Sequence, residues 1–474
     1  MSGLQAHPSA PNSGAPGAPQ VAIAGGGLAG LAAGCALAEA GFRVTLIEKR
    51  PFVGGRASSY EHPGTGEVVD NCQHVLLGCC TNLIDFYRRI GVEDRIHWYD
   101  RLYFIEPGGR RSEIAPSWLP PPFHTAPSFL KSSSLGLGDK LAIARAMMAI
   151  AQRLPRDTGE NFMQWLKRHG QTERAIERFW KVVLVSALNE DLERMSVHYA
   201  AQVFRESFLK SREGGRMGVP RVPLTELYGA AAEYIGARGG EVRLRTSVES
   251  FCAEPAGVRL CVNGAEMACD FAVLAVPFDA LGRMLPQGAA AGSLAEMIAH
   301  FETSPITGIH LWFDREITEL DHAVLLDRTI QWMFHKSRLL GREGPSYIEL
   351  VVSSSKALVE KPRGEIIEMA VRELGDFFPA AREAELVKAT VIKEVHATYS
   401  ALPGSDAYRP AAATVWPRVF LAGDWTRTGW PATMEGAVRS GYLVAEAVAH
   451  TAGKREKFVV ADLAARGLMK IWQS

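Results

Sequence analysis

Val21-Ala22-Ile23-Ala24-Gly25-Gly26-Gly27-Leu28-Ala29-Gly30, with the 18 residues that carry the chain from Gly30 to Glu48, decides the architecture. Val21 to Ala24 reads as a short apolar strand, Leu28 to Ala40 as an alanine-rich helix stopped by Gly41, and Arg43 to Glu48 as a second β-rich run. Strand, helix and strand in that order imply a parallel sheet. Gly25, Gly27 and Gly30 stand in the pattern G-x-G-x-x-G between the strand and the helix. The first permits a tight turn, the second lets backbone N–H groups approach a pyrophosphate, and the third allows close helix–strand packing. Glu48 ends the second strand, where a carboxylate accepts hydrogen bonds from ribose hydroxyls and repels a 2′-phosphate. The dinucleotide expected here is therefore FAD or NAD rather than NADP. Val21 to Ala38 is also 18 residues without a charge, the lower edge of a membrane span, but its glycines and its initial strand argue against one.

Near the other terminus Val419 to Ala422 is again strand-like, and Met434 to Val448 reads as a helix entered through a glycine-bearing turn. Between the two ends lie a mostly helical stretch from about 82 to 235, strand-like runs around Val242 to Val276, and strands at Thr307 to Phe313 and Ser346 to Val352. Glu365 to Phe378 has the periodicity of a helix, with Ile366, Met369, Ala370, Leu374, Phe377 and Phe378 on the face expected to pack on those strands. The expected division is a tail at 1–19, a nucleotide-binding domain from 20–81, 236–285 and 415–450, a substrate domain from 82–235 and 286–414, and an extension at 451–474.

The 474 residues carry 52 Lys plus Arg against 52 Asp plus Glu, so nothing in the balance suggests nucleic acid, whose binders show a basic excess. Seven cysteines with no C-x-x-C pair fit a reducing cytosol better than a disulfide framework, and no metal site is expected. The 19 residues at the amino end lack the charged start of a signal peptide and read as a flexible tail. Pro116 to Gly138 alternates prolines with Trp118, Leu119, Phe123, Phe129 and Leu130, and precedes a helix, Asp139 to Leu154. That helix carries Leu141, Ala144, Met147, Met148, Ala151 and Leu154 in one stripe, with Lys140, Arg145 and Arg153 away from it, the pattern of an interfacial helix or of one facing a core.

Val21 to Arg56, which includes the second glycine pair Gly54-Gly55, together with Phe420-Leu421-Ala422-Gly423-Asp424 and Met434-Glu435-Gly436-Ala437, resembles the flavin amine oxidase and phytoene desaturase superfamily. The resemblance implies an α/β fold, amine oxidase-like, in which a Rossmann-like FAD-binding domain with a parallel sheet is interleaved with an α+β substrate domain. It implies FAD as cofactor, with Gly55 and Arg56 by the phosphates and flavin, Val248 in the cofactor site, and Asp424 at the ribityl or phosphate region. The helix start near Gly436 and Ala437 would stabilise negative charge on a reduced ring.

Asp70-Asn71-Cys72-Gln73-His74-Val75-Leu76-Leu77-Gly78-Cys79, His310-Leu311-Trp312-Phe313-Asp314-Arg315 and Asp424-Trp425-Thr426-Arg427-Thr428-Gly429-Trp430-Pro431 carry a narrower resemblance, to the hydroxysqualene dehydroxylase family. The family pattern usually has glycine where Cys72 stands. The reaction this implies exchanges the hydroxyl of hydroxysqualene for hydride, giving squalene on the route to hopanoids. Such a step needs a proton donor for the departing oxygen and a dry, electron-rich wall. His74 is the expected donor because it titrates near neutrality, with Asp70 orienting it or donating itself. Trp425, Trp430, His310 and Trp312 are expected to line the substrate site.

The expected partners are a triterpenoid substrate, the inner face of the cytoplasmic membrane, met through the loop and helix of residues 116–154, and the preceding squalene-pathway enzymes. Two rivals remain open at this stage: a carotenoid desaturase or amine oxidase running hydride the other way, and a prenyl-lipid carrier on the same fold. A single G-x-G-x-x-G leaves the electron donor unassigned.

Overall fold

Every residue from 17 to 472 is described in the computed structural model, so most of the expected tail lies outside the described residues. The opening stretch folds as its pattern predicts. Gln20–Ala24 pairs in parallel with Arg43–Ile47, and the buried helix Leu28–Glu39 connects them. Five parallel strands make up the sheet, in the order Glu241–Arg243, Arg43–Ile47, Gln20–Ala24, Phe271–Leu274 and Val419–Leu421. These strands come from three separated parts of the chain, which is why its two ends share one layer. The charge-free run Val21 to Ala38 is thus a strand and a core helix, and no helix among the described residues is long and apolar enough to cross a membrane.

The helices Thr81–Arg89 and Leu224–Gly236, expected within the substrate domain, belong to this layer instead. Their Leu83, Phe86, Leu227, Tyr228 and Ile235 share a core with Leu31, Val44, Phe271 and Tyr442. The boundaries at 82 and 235 therefore need correction by about one helix each. The reason is that the parallel sheet is apolar on both faces and needs more helix to cover it than its own connections supply.

The second layer is a seven-stranded sheet in the order Leu386–Tyr399, Thr303–Phe313, Tyr347–Ser353, Trp332–His335, His322–Leu325, Leu102–Ile105 and Arg111–Ile114. All neighbours are antiparallel except His322–Leu325 with Leu102–Ile105. One face packs on the helix Arg363–Phe377, where Ile366, Ala370, Leu374 and Phe377 meet Ile309, Leu311, Ile348 and Leu350. That is the face its periodicity predicts. The alternate residues, among them Ile306, Trp332 and Val324, turn toward the nucleotide-binding layer and line the cavity between the two. A helical lobe around Phe162, Trp165, Trp180 and Phe204 closes the remaining side.

Candidate functional site

A cavity of about 760 Å³ runs from the glycine-rich turn into the space under the seven-stranded sheet. Its first half is built largely from backbone. Gly25 takes a φ of +109°, and a side chain there would strike the Ala275 carbonyl. A side chain at Gly30 would strike the Gly25 carbonyl, so helix and strand approach closely only because it has none. Gly27 precedes the helix Leu28–Glu39 with no side-chain cap and no acidic residue in the first turn, which leaves the positive end of that helix to an anion. Glu48, buried, accepts from the Gly26 N–H at 2.7 Å and the Arg50 N–H at 2.8 Å, which fixes its carboxylate at the cavity edge.

The carboxyl-terminal motif meets this cradle from the other side. Arg56 donates to Asp424 at 2.6 Å and to the Ala397 carbonyl at 3.0 Å, joining residues 368 positions apart. Asp424 is therefore already partnered by a cation as it faces the cavity. Arg409 lies wholly buried behind it, donating to the Asp424 carbonyl and the Thr428 hydroxyl, both at 2.9 Å. Val248 lines the cavity beside Ser247 and Glu249.

The helix Met434–Thr451 begins at the cavity, but not as expected. The Gly436 N–H donates to the Thr433 hydroxyl at 3.1 Å and the Ala437 N–H to the Thr433 carbonyl at 3.0 Å. The first-turn N–H groups without a partner in the chain are those of Met434 and Glu435. The correction follows from Thr433, whose capping hydroxyl takes the N–H at the third helical position.

The second half of the cavity is apolar. Val75, Leu77, Leu102, Phe104, Val182, Met217, Ile306, Val324 and Trp332 wall it, with Trp425 and Trp430 nearer the cradle. Trp425 is fixed by its indole N–H on the Val276 carbonyl at 3.1 Å, and the Arg439 guanidinium stands 5.0 Å from the Trp430 ring. His74, Glu206 and Glu394 are among the titratable residues that also line the cavity.

A family model described as flavin containing amine oxidoreductase matches residues 28–449. The chain belongs to that family. The flavoenzyme is 27% identical over 459 residues to a 15-cis-phytoene desaturase of Synechococcus elongatus, covering 90% of this chain and 95% of the relative. It is 27% identical over 477 residues to a probable zeta-carotene desaturase of the same organism, covering 90% and 98%. A solved putrescine oxidase bound to putrescine superposes with a TM-score of 0.71 at 17% identity, over 91% of this chain and 99% of that one. An oxidoreductase of Methanosarcina mazei gives 0.71 at 18%, over 90% and 100%. These two likenesses establish the amine oxidase-like fold.

FAD is the cofactor, and the residues present suit it. The side-chain-free turn and uncapped helix start of Gly25 to Gly30 would hold the pyrophosphate, Glu48 the ribose, and the Arg56–Asp424 pair the ribityl chain. Cys72, where the narrower family has glycine, has no left-handed φ. Its side chain packs with Met217, Phe334 and Val351, so the backbone there does not depend on glycine.

The flavoenzyme departs from expectation in the residues thought to be catalytic. His74 does line the cavity, and its Nδ1–H donates to the Cys72 carbonyl at 2.7 Å. Burial pushes its pKa below the ordinary value, and that hydrogen bond only partly offsets the effect. The ring is then neutral near pH 7 with Nε2 as an acceptor, the wrong state for a proton donor.

Asp70 is not in the cavity wall. It is buried, accepting from Lys336 Nζ and the Ser59 hydroxyl at 2.7 and 2.6 Å and from the Leu224 N–H at 3.2 Å, and it makes no hydrogen bond to His74. Burial alone would raise its pKa, but Lys336 and the other donors hold it below the ordinary range. It neither orients His74 nor has a proton to give.

His310 and Trp312 also stand outside the lining. His310 is fully buried, bonded to the Tyr347 hydroxyl at 2.8 Å and driven by burial to a pKa of about 3, while Trp312 stacks on Tyr347 with centroids 4.4 Å apart. The alternation placed both on one strand face correctly. The segment Asp70–His74 covers that face at this point and separates them from the cavity.

Glu206 was missed. It lines the cavity, pairs with Lys210 at 2.8 Å, and has its pKa raised by burial more than Lys210 lowers it. It sits in a π-helical turn, Arg205–Leu209, whose extra residue turns it inward. Nothing in the local sequence marks such a turn.

Proposed function

We propose that this FAD-dependent oxidoreductase removes the allylic hydroxyl of hydroxysqualene reductively, giving squalene and water. The observation that carries the reading is the wall of the second half-cavity, continuous aliphatic and aromatic surface joined to the cofactor cradle and broken by a few groups able to handle one hydroxyl. A long isoprenoid matches that wall, and a purely hydrocarbon substrate leaves the polar groups without a task. Reduced FAD, when bound, supplies the hydride that replaces the departing oxygen.

The chain's own residues then have distinct duties. Hydroxide leaves poorly, so a proton must reach the oxygen as the C–O bond breaks. Glu206 is assigned to deliver that proton: it lines the cavity, and burial holds its carboxyl above the usual glutamate range despite Lys210 beside it. His74 Nε2 accepts a hydrogen bond from the substrate hydroxyl and orients it. Trp332, Trp430 and Phe104 offer π faces to the allylic cation and exclude water from it. With the hydride that reduced FAD would supply at carbon, the oxygen would depart as water carrying the Glu206 proton. The substrate reaches the site from lipid or from the enzyme that makes it.

A second reading, desaturation of a carotenoid precursor, is favoured by the names of the relatives. Anaerobic incubation separates the two. The photoreduced protein with hydroxysqualene is expected to yield squalene and reoxidised flavin. If no squalene forms, and phytoene instead bleaches the oxidised protein, the dehydroxylase reading is wrong.

A further inference from the structure

Seven of the thirteen exposed large apolar side chains among the described residues come from just two stretches, 118–141 and 468–471, which marks one face of the molecule as unlike the rest. Trp118 is 86% exposed, Leu137 77%, Leu141 65% and Ile471 65%. The two stretches are one surface. The Leu468 N–H donates to the Pro121 carbonyl at 3.0 Å, and Met469 is buried against the lobe core that contains Ile143 and Ala146. Arg205 joins the helix that continues from the first stretch to the residue just after the second, donating to the Ile150 carbonyl at 3.4 Å and the Trp472 carbonyl at 2.9 Å.

The helix Leu137–Gln152 is apolar on both sides. It buries Ala142, Ile143, Ala146 and Ile150, none of them in the expected stripe, of which Ala151 alone is buried while Leu141 and Ala144 stand exposed. Within residues 116–152 and 463–472 every exposed charged side chain is cationic: Lys131, Arg145, Arg466 and Lys470. The carboxylate of Asp139 is already taken by the Gly136 N–H and the Thr172 hydroxyl. Beneath the face, Pro116, His124 and Thr125 close a void of about 20 Å³ whose far wall is Leu102 and Phe208, residues that also line the large cavity.

We infer that this face docks on an anionic lipid bilayer, with Trp118, Leu137, Leu141 and Ile471 entering the apolar layer and the four cations meeting the headgroups. The Pro116–Thr125 loop covers the route by which substrate passes from lipid past Phe208 into the cavity; this second part rests on the isoprenoid reading above. Apolar side chains flanked in sequence by an excess of cations are what an anionic interface selects, whereas an apolar protein partner gains nothing from that excess.

The test uses the full FAD-loaded chain and vesicle flotation. Wild type is expected to float with phosphatidylglycerol-containing vesicles, less with pure phosphatidylcholine, and less again as salt is raised. The triple variant Trp118→Ser/Leu141→Ser/Ile471→Ser is expected to lose about tenfold or more of the bound fraction with its flavin spectrum and melting curve intact. Should that variant fold poorly, Arg145→Glu/Lys470→Glu is expected to abolish the preference for phosphatidylglycerol. Wild type that stays with neither vesicle, or variants that float as well as wild type, overturn the proposal. So does a wild-type dimer in sedimentation that the triple variant converts to monomer, since that assigns the face to a second copy.

Delivery of hydroxysqualene in detergent distinguishes the two claims. Turnover by the triple variant in detergent but not from vesicles supports the access route. No turnover by wild type in either presentation removes the functional reading and leaves the docking result standing.

Discussion

The two halves of the cavity are made in different ways. The cofactor half is built from backbone and local sequence: Gly25, Gly30 and the uncapped helix start lie within six residues of one another, and Glu48 follows on the next strand. The substrate half is assembled from side chains drawn from several elements between Val75 and Trp332, far apart in sequence. A backbone-built site fails wholly when one atom too many is inserted. A side-chain site loses function in graded steps, because each residue does one part of the work.

The largest effect should come from the first half. Gly30→Val places a branched side chain against the Gly25 carbonyl, and the purified protein is expected to emerge folded but colourless even after reconstitution with FAD. Retention of a full flavin spectrum would show that the cradle is not the cofactor site. Next comes Glu206→Gln, expected to lower kcat by about 10²- to 10⁴-fold with flavin content unchanged. The sign of its pH dependence follows from the raised pKa: the wild-type rate holds while Glu206 is protonated and falls as pH rises through a value above the usual glutamate range. The variant should lack that limb, and an unchanged pH–rate profile would remove Glu206 from proton transfer.

Lys336→Met tests the layer behind the wall. It leaves Asp70 buried without its cation, which should cost about 3–5 kcal/mol in urea unfolding. A cost below 1 kcal/mol, on the order of a surface pair, would mean the cluster does not hold the Asp70–His74 segment.

Glu349→Gln should have the smallest effect. Glu349 is fully buried, with Lys336 3.4 Å away and no hydrogen-bond partner on either oxygen. Burial pushes its pKa up to about 8 from 4.5. Folded Glu349 keeps its proton where the unfolded chain has lost it, so its contribution is complete below about 4.5 and is lost as pH rises through about 8. The variant's melting temperature should fall less across that window than the wild type's, by a few degrees. Identical slopes would contradict the raised pKa.

The same contrast explains what was legible beforehand. The strand–glycine–helix stretch, Glu48 and the helix Arg363–Phe377 are written in local patterns whose physics is short-range: a turn that excludes Cβ, a carboxylate at a strand end, a repeat of 3.6 residues. Asp70, four residues before His74, suggested a working pair. The chain bends at Asn71 and Cys72 between them, so Asp70 faces Lys336 and His74 faces the cavity. His310 was placed on the right strand face, but whether that face meets substrate or a covering loop is not a property of the strand. Glu206 carries no local mark at all, because its orientation depends on an irregular helical turn.

By itself, then, the sequence determined the nucleotide-binding layer and its cofactor class, since close backbone approach and strand–helix register depend on residues only a few positions apart. Only the tertiary structure decided which titratable side chains reach the apolar half of the cavity and in which protonation state. Burial and partner charges are set by residues hundreds of positions away, as Lys336 is from Asp70 and Arg56 from Asp424.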